Sequence, residues 1–85
     1  MALVIEAHEQ TWIKVTADGT DVSPGEILEP GMTRRFTAQT SLTLAVGNAG
    51  GIAMKLNDRK MKSIGKSGQV REIVITPSNL TDFIG

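Results

Sequence analysis

The chain has 85 residues, no cysteine and a formal net charge of zero, and 40% of its residues are hydrophobic. This length predicts one small domain, whose core must hold without disulfide bonds. The lack of cysteine excludes thiolate catalysis and zinc–thiolate sites. No apolar run approaches the roughly 20 residues of a membrane span. The N-terminal residues lack the basic region and cleavage site of a signal peptide.

Runs of alternating apolar and polar residues predict strands in the first half of the chain, because strand side chains alternate between faces. Asp18-Gly19 and Pro30-Gly31 are typical turn dipeptides. Pro24 excludes a central strand over 20–25, since proline cannot donate to a sheet ladder. The predicted strands are 3–7, 11–17, 26–28 and 32–38.

Leu42 to Asp58 is predicted to form the centre of the fold. The runs Leu42–Val46 and Ile52–Leu56 alternate cleanly on either side of Gly47-Asn48-Ala49-Gly50-Gly51. Glycine and asparagine tolerate positive φ, so the connector is suited to reversing the chain. We therefore expect the two runs to pair as a β-hairpin, with Gly47, Asn48, Gly50 and Gly51 as structural turn residues.

The C-terminal third is predicted to hold one more strong strand, over 69–76. Asn57 to Lys60 reads as a hairpin turn, and 61–68 as irregular. Val70 lies on the opposite parity to Ile73 and Ile75, which indicates two covered faces or a bulge near Arg71-Glu72. In the tail, Ser78 or Asn79 could cap a helical turn, and Leu80, Phe83 and Ile84 could pack on the core.

About seven short strands with regularly spaced turns predict an all-β fold. We expect a small antiparallel β-sandwich, Ig-like or Greek-key in character, with a small barrel as the alternative. The whole chain, 1–85, is interpreted as one domain, with a core over 3–76 and a C-terminal tail over 77–85.

Charge is unevenly distributed along the chain. Residues 1–30 hold six acidic residues and one basic residue, net −5, whereas residues 55–71 hold six basic residues and one acidic residue, net +5. The basic segment could face an anionic partner. Alternatively, acidic and basic segments lie side by side as solvated neighbours. The candidate interaction residues in this segment are Lys55, Arg59, Lys60, Lys62 and Lys66.

Few residues offer catalytic or cofactor chemistry. His8 is the only histidine, and it lies in a predicted turn with no companion motif. The glycine-rich connector follows a strand, as phosphate-binding loops do, but a second strand follows it in place of a helix. We therefore predict no catalytic residues, no metal site and no cofactor.

Trp12 is the aromatic residue to weigh as a contact site. It could anchor a partner or stack on a sugar, or it could cover one side of a small core. Phe36 and Phe83 are the only other aromatic residues. With so few rings we expect neither an aromatic base-stacking platform nor nucleic-acid binding.

The segments LAVGNAGGIAMKL (44–56), NDRK (57–60) and IGKSGQV (64–70) together resemble the C-terminal domain of RodZ-like bacterial helix-turn-helix membrane proteins. The Trp-containing strand, the Asp18-Gly19 turn and Arg35-Phe36 precede them in matching order. The resemblance covers residues 3–76. The segment after Pro77 departs from the pattern, which usually ends with the last strand.

This resemblance implies a β-rich, non-enzymatic interaction module of a cell-shape scaffold. In such proteins a cytoplasmic helix-turn-helix domain, a single membrane span and a linker precede this domain, which lies outside the membrane. The implied partners are membrane-anchored cell-wall elongation proteins. Binding to peptidoglycan or another wall glycan is the alternative. Self-association through the acidic and basic halves is a further open alternative.

Overall fold

The computed structural model describes residues 1–84. This part of the chain forms eight strands and two short 3₁₀ turns. The first four strands are β1 (Ala2–Ala7), β2 (Thr11–Ala17), β3 (Thr20–Leu28) and β4 (Thr33–Thr37). The last four are β5 (Leu42–Val46), β6 (Ile52–Leu56), β7 (Arg59–Lys60) and β8 (Arg71–Ile75). The 3₁₀ turns are Ala49–Gly51 and Leu80–Phe83.

The strands form two antiparallel four-stranded sheets. Sheet A has the strand order β4-β1-β6-β7, and sheet B has the order β3-β2-β5-β8. The inward residues of both sheets form one core, whose largest fully buried members include Leu3, Ile5, Ile13, Leu44 and Ile75. The predicted all-β sandwich is therefore confirmed.

The predicted hairpin between 42–46 and 52–56 is wrong. Both segments are strands, but β5 lies in sheet B between β2 and β8, whereas β6 lies in sheet A between β1 and β7. The connector crosses from one sheet to the other. Alternation of side chains predicts that each run is a strand, but it carries no information on which strand lies beside it.

Two hairpins join strands that are consecutive in sequence. Asp18 and Gly19 both have positive φ, 51° and 80°, at the turn between β2 and β3. Asn57 and Asp58, at 53° and 64°, form the turn between β6 and β7. Both turns were predicted, and positive φ at both central residues matches the right-handed twist of the paired strands.

Pro24 lies within β3, which is an edge strand of sheet B, as proline requires. The pairing of β3 with β2 shifts register twice along its length. The strand therefore begins at Thr20, earlier than the predicted 26–28, because an irregular edge can accommodate the proline.

The predicted irregularity near Arg71-Glu72 is wrong. β8 pairs with β5 without a register shift, and Ile73 and Ile75 face the core. Val70 and Val74 are exposed, 63% and 48%, so the second face is not covered either. Apolar residues occur at both parities because Val70 and Val74 are exposed to solvent while Ile73 and Ile75 face the core.

The C-terminal tail packs against the core through Leu80, Phe83 and Ile84, as predicted. Asn79 precedes the 3₁₀ turn but makes no capping side-chain bond to it. The part of the tail prediction that concerns Gly85 lies outside the described residues.

Candidate interaction surfaces

Trp12 lies on the outer face of sheet B. Its neighbours in β2, Thr11 and Ile13, point inward and are buried, whereas Trp12 is 40% exposed. Ile27 of β3, 56% exposed, lies directly opposite it. The reading of Trp12 as a cover for the core is therefore wrong, and the reading as a surface anchor is compatible with its position.

The indole of Trp12 lies across Gly47. The amide N–H of Gly47 donates to the carbonyl oxygen of Trp12 at 2.9 Å. A Cβ added at Gly47 would overlap three atoms of the pyrrole ring, Nε1, Cδ1 and Cε2. The missing side chain thus leaves room for the ring, so that an aromatic residue covers a glycine just beyond the end of the neighbouring strand β5.

The other connector glycines also permit close approach. A Cβ on Gly50 would overlap the backbone of Lys66 and Ser67, and one on Gly51 would meet the side chain of Asn48. None of Gly47, Gly50 and Gly51 is among the residues with positive φ. These glycines therefore do not supply the left-handed hairpin turn that was expected of them, and the space they leave admits neighbouring atoms.

Asn48 ties the connector to two other loops. Its Nδ2 donates to Glu9 Oε1 at 3.0 Å, and its Oδ1 accepts from the backbone N–H of Gly68 at 2.7 Å. The Ser67 hydroxyl donates to the same Glu9 oxygen at 2.9 Å. The Asn48 amide first, and the Ser67 hydroxyl second, lower the pKa of Glu9 below its usual value.

The basic residues separate into different environments. Lys55 and Lys60 lie directly opposite one another on the outer face of sheet A. Arg59 pairs with the buried Leu56, so it has the opposite parity, at the edge of the sheet. Lys66 lies in the loop against Gly50, where its carbonyl oxygen accepts from the Gly50 N–H. Lys62 follows the buried Met61, and its backbone N–H donates to Phe83.

Sequence reasoning did not identify Arg35 as a member of the outer face of sheet A. Val4 of β1 is opposite both Arg35 of β4 and Lys55 of β6. One row of outward side chains therefore crosses all four strands of sheet A, in the order Arg35, Val4, Lys55 and Lys60. The tight Asn57-Asp58 turn could have indicated the Lys55–Lys60 pair, because a two-residue loop fixes which residues are opposite.

His8, the single histidine of the sequence, lies near the carboxylate of Glu6. Its Nε2 is 3.7 Å from Glu6 Oε1, and both side chains are more than half exposed. Within residues 1–84, no group of three or more His, Cys, Asp or Glu side chains could hold a metal ion. No helix within that range is long and apolar enough to cross a membrane.

The family model of the RodZ C-terminal domain matches residues 4–74. The chain belongs to the RodZ C-terminal domain family. The searches of curated proteins and of solved structures gave no match. The matched range includes residues of all eight strands, Trp12 and the row of Arg35, Lys55 and Lys60, and it ends before the C-terminal 3₁₀ turn.

Proposed function

We propose that this domain is a non-catalytic protein-interaction module of a RodZ-like cell-shape protein, and that it lies outside the cytoplasmic membrane. Membership of the RodZ C-terminal domain family over residues 4–74 carries the proposal. The outer face of sheet B, with Ile27 beside Trp12, supplies the type of exposed aromatic anchor that interaction surfaces use. The proposed partners are membrane-anchored cell-wall elongation proteins.

The interaction is tested by pull-down from detergent-solubilised bacterial membranes with the domain as bait. We expect retention of wall-elongation proteins, and loss of most of it with Trp12→Ala or Ile27→Asp. Val74→Ser is the matched control, because Val74 is equally exposed on sheet B but lies on its far edge strand. Retention of the same proteins by every variant would contradict a role for this face.

The location is tested separately in cells with the full-length protein. Reporter enzymes active only outside the cytoplasm, fused after the domain, are expected to be active. Deletion of the domain is expected to alter cell shape or the position of wall synthesis. An active cytoplasmic reporter at the same fusion point would overturn the proposed location.

A wall glycan is the second candidate ligand, and the Trp12 geometry favours it. The indole rests on Gly47 and is partly exposed, so it offers apolar surface on which a sugar ring could stack. Co-sedimentation with purified sacculi distinguishes the candidates. Co-sedimentation of the domain that requires Trp12 and persists at high salt would favour the glycan. Absence of the domain from the pellet would remove this candidate.

A further inference from the structure

The outer face of sheet A holds three cations in one row that no described carboxylate neutralises. The row runs Arg35, Val4, Lys55, Lys60, and both lysines and the arginine are exposed. Within residues 1–84 the ion pairs are Glu6–His8 and Glu26–Arg34, neither of which involves this row. Lys55 and Lys60 therefore face each other across the β6–β7 pair as like charges.

Like charges directly opposite in an antiparallel pair destabilise the sheet, whereas opposite charges stabilise it. A glutamate at either position would suit the fold better. Positions that break a local stability rule without a compensating contact are where function is expected. The Lys55–Lys60 pair is such a position.

A shallow depression lies beside the two lysines. Its lining includes Val4, Ala53 and Met54 together with Lys55, Lys60 and Glu6. The side chain of Met54 faces the core, so Val4 and Ala53 supply the outward apolar side chains. A ligand that fills it needs an apolar group between anionic groups. The row crosses three gaps between strands, roughly 14 Å, which matches about four residues of extended chain.

We propose that this face binds an acidic segment of a partner protein, with an aliphatic side chain of that segment in the depression and its carboxylates against the lysines and Arg35. The inference rests on the proposed function as a protein-interaction module, and it names the chemistry of the partner. Glu6 favours a polypeptide over an anionic lipid surface. A bilayer would press uniform negative charge against this carboxylate, whereas a peptide can place a neutral residue there.

The test is a two-dimensional NMR titration of the domain with a short synthetic peptide of alternating Glu and Leu. The Gln/Leu counterpart and vesicles containing phosphatidylglycerol are the comparison ligands. We expect the amides of Val4, Ala53, Lys55 and Lys60 to shift with the Glu/Leu peptide, and the Trp12 indole signal to stay in place. The affinity should fall as salt is added.

Substitutions then separate binding from folding. Lys60→Glu is expected to weaken peptide binding about ten-fold or more. It should also raise the melting temperature by about 2–4 °C, because it converts the like-charge pair into an opposite-charge pair. Lys60→Gln should weaken binding less. Lys14→Glu is the matched control, since Lys14 is an exposed cation on the outer face of sheet B.

The inference would be overturned if Lys14→Glu weakened peptide binding as much as Lys60→Glu does. It would also be overturned if the Gln/Leu peptide bound as tightly as the Glu/Leu peptide. A third contrary result is amide shifts at this face with vesicles but not with peptide. If the peptide fails to bind while the pull-down still retains its partners through Trp12, this inference falls and the proposed function stands.

Discussion

Asp18 joins two loops that are far apart in the sequence. Its carboxylate accepts hydrogen bonds from the backbone N–H groups of Gln39, Thr40 and Ser41 and from the Thr40 hydroxyl, at 2.7–3.1 Å. These donors, the Gln39 amide foremost, hold the pKa of Asp18 far below its usual range. One side chain thus fixes the turn between β2 and β3 against the loop that leads into β5.

Asp18→Asn is expected to make the free energy of unfolding less dependent on pH in acid. A carboxyl whose pKa is lower in the folded state contributes stability above its unfolded value, about 3.9, and that contribution is lost as pH falls. The stability difference between wild type and variant should be constant near neutrality and shrink below about pH 4. Urea unfolding at several pH values measures it. Asp21→Asn is the control, because one hydroxyl alone donates to Asp21 among the described contacts. A difference that stays constant with pH would contradict the role assigned to Asp18.

Gly50→Val is expected to reduce the free energy of unfolding by about 1–3 kcal/mol, as overpacking does. The new Cβ would overlap the Lys66–Ser67 backbone, and backbone cannot rotate away as a side chain can. Ala53→Val, on the exposed face of β6, is the control and should change stability little. Thermal unfolding is the measurement. Unchanged unfolding with loss of partner binding would show that Gly50 belongs to a contact site.

At the scale of the strand, β8 is the edge of sheet B that the chain itself covers in part. The side-chain amide of Asn79 donates to the carbonyl oxygen of Val74 at 3.0 Å and accepts from the N–H of Thr76 at 2.7 Å. The amide thereby takes the place of a neighbouring strand at this end. Unpaired backbone groups at an edge are a template for another chain, so this contact protects against association.

Asn79→Ala is expected to cost about 1 kcal/mol of stability and to promote association at high concentration. Analytical ultracentrifugation over a concentration series measures the association. Ser78→Ala is the control, because Ser78 contacts the Thr76 hydroxyl and leaves the edge bonds in place. A monomeric Asn79→Ala variant at all concentrations would show that the edge is protected by other means.

Most strands were predictable from local pattern, but their neighbours were predictable only where a tight turn joins two consecutive strands. Runs such as Thr11–Ala17 alternate because one side of the sheet is buried, and this signal lies within the run itself. The placement of β5 and β6 in separate sheets depends on partners many residues away. The same limit applies to Gly50, whose constraint is the distant Ser67, and to Arg35, which joins the cationic row only through the register of β1.

At the scale of the whole molecule, the two outer faces point in opposite directions with one core between them. The exposed apolar pair of Trp12 and Ile27 lies on sheet B, and the row of Arg35, Lys55 and Lys60 lies on sheet A. Sequence reasoning named Trp12, Lys55 and Lys60 but could not tell that they lie on opposite faces. Two partners, or two parts of one partner, can therefore contact the domain without competing for the same surface.

The stability effects of Trp12→Ala and Lys60→Glu are expected to be additive within about 0.5 kcal/mol, because the side chains share no contacts. Chemical unfolding of both single variants and the double variant gives the coupling free energy between the two positions. The pair Lys55→Glu and Lys60→Glu is the contrasting case. Either substitution alone creates an opposite-charge pair, and both together create a pair of acids, so this combination should be strongly non-additive.

The crossing of the chain between sheets after β5 also governs when the protein can fold during its synthesis. Sheet A needs β6, which ends at Leu56, to stand beside β1, and sheet B is complete only when β8 has been made. The hairpin of β2 and β3 can form earlier, but a two-stranded hairpin alone is marginally stable in water. We therefore expect stable folding of this domain only after β8 has been synthesised. For a domain proposed to work outside the membrane, this delay keeps the chain in the extended form that a translocation channel can pass.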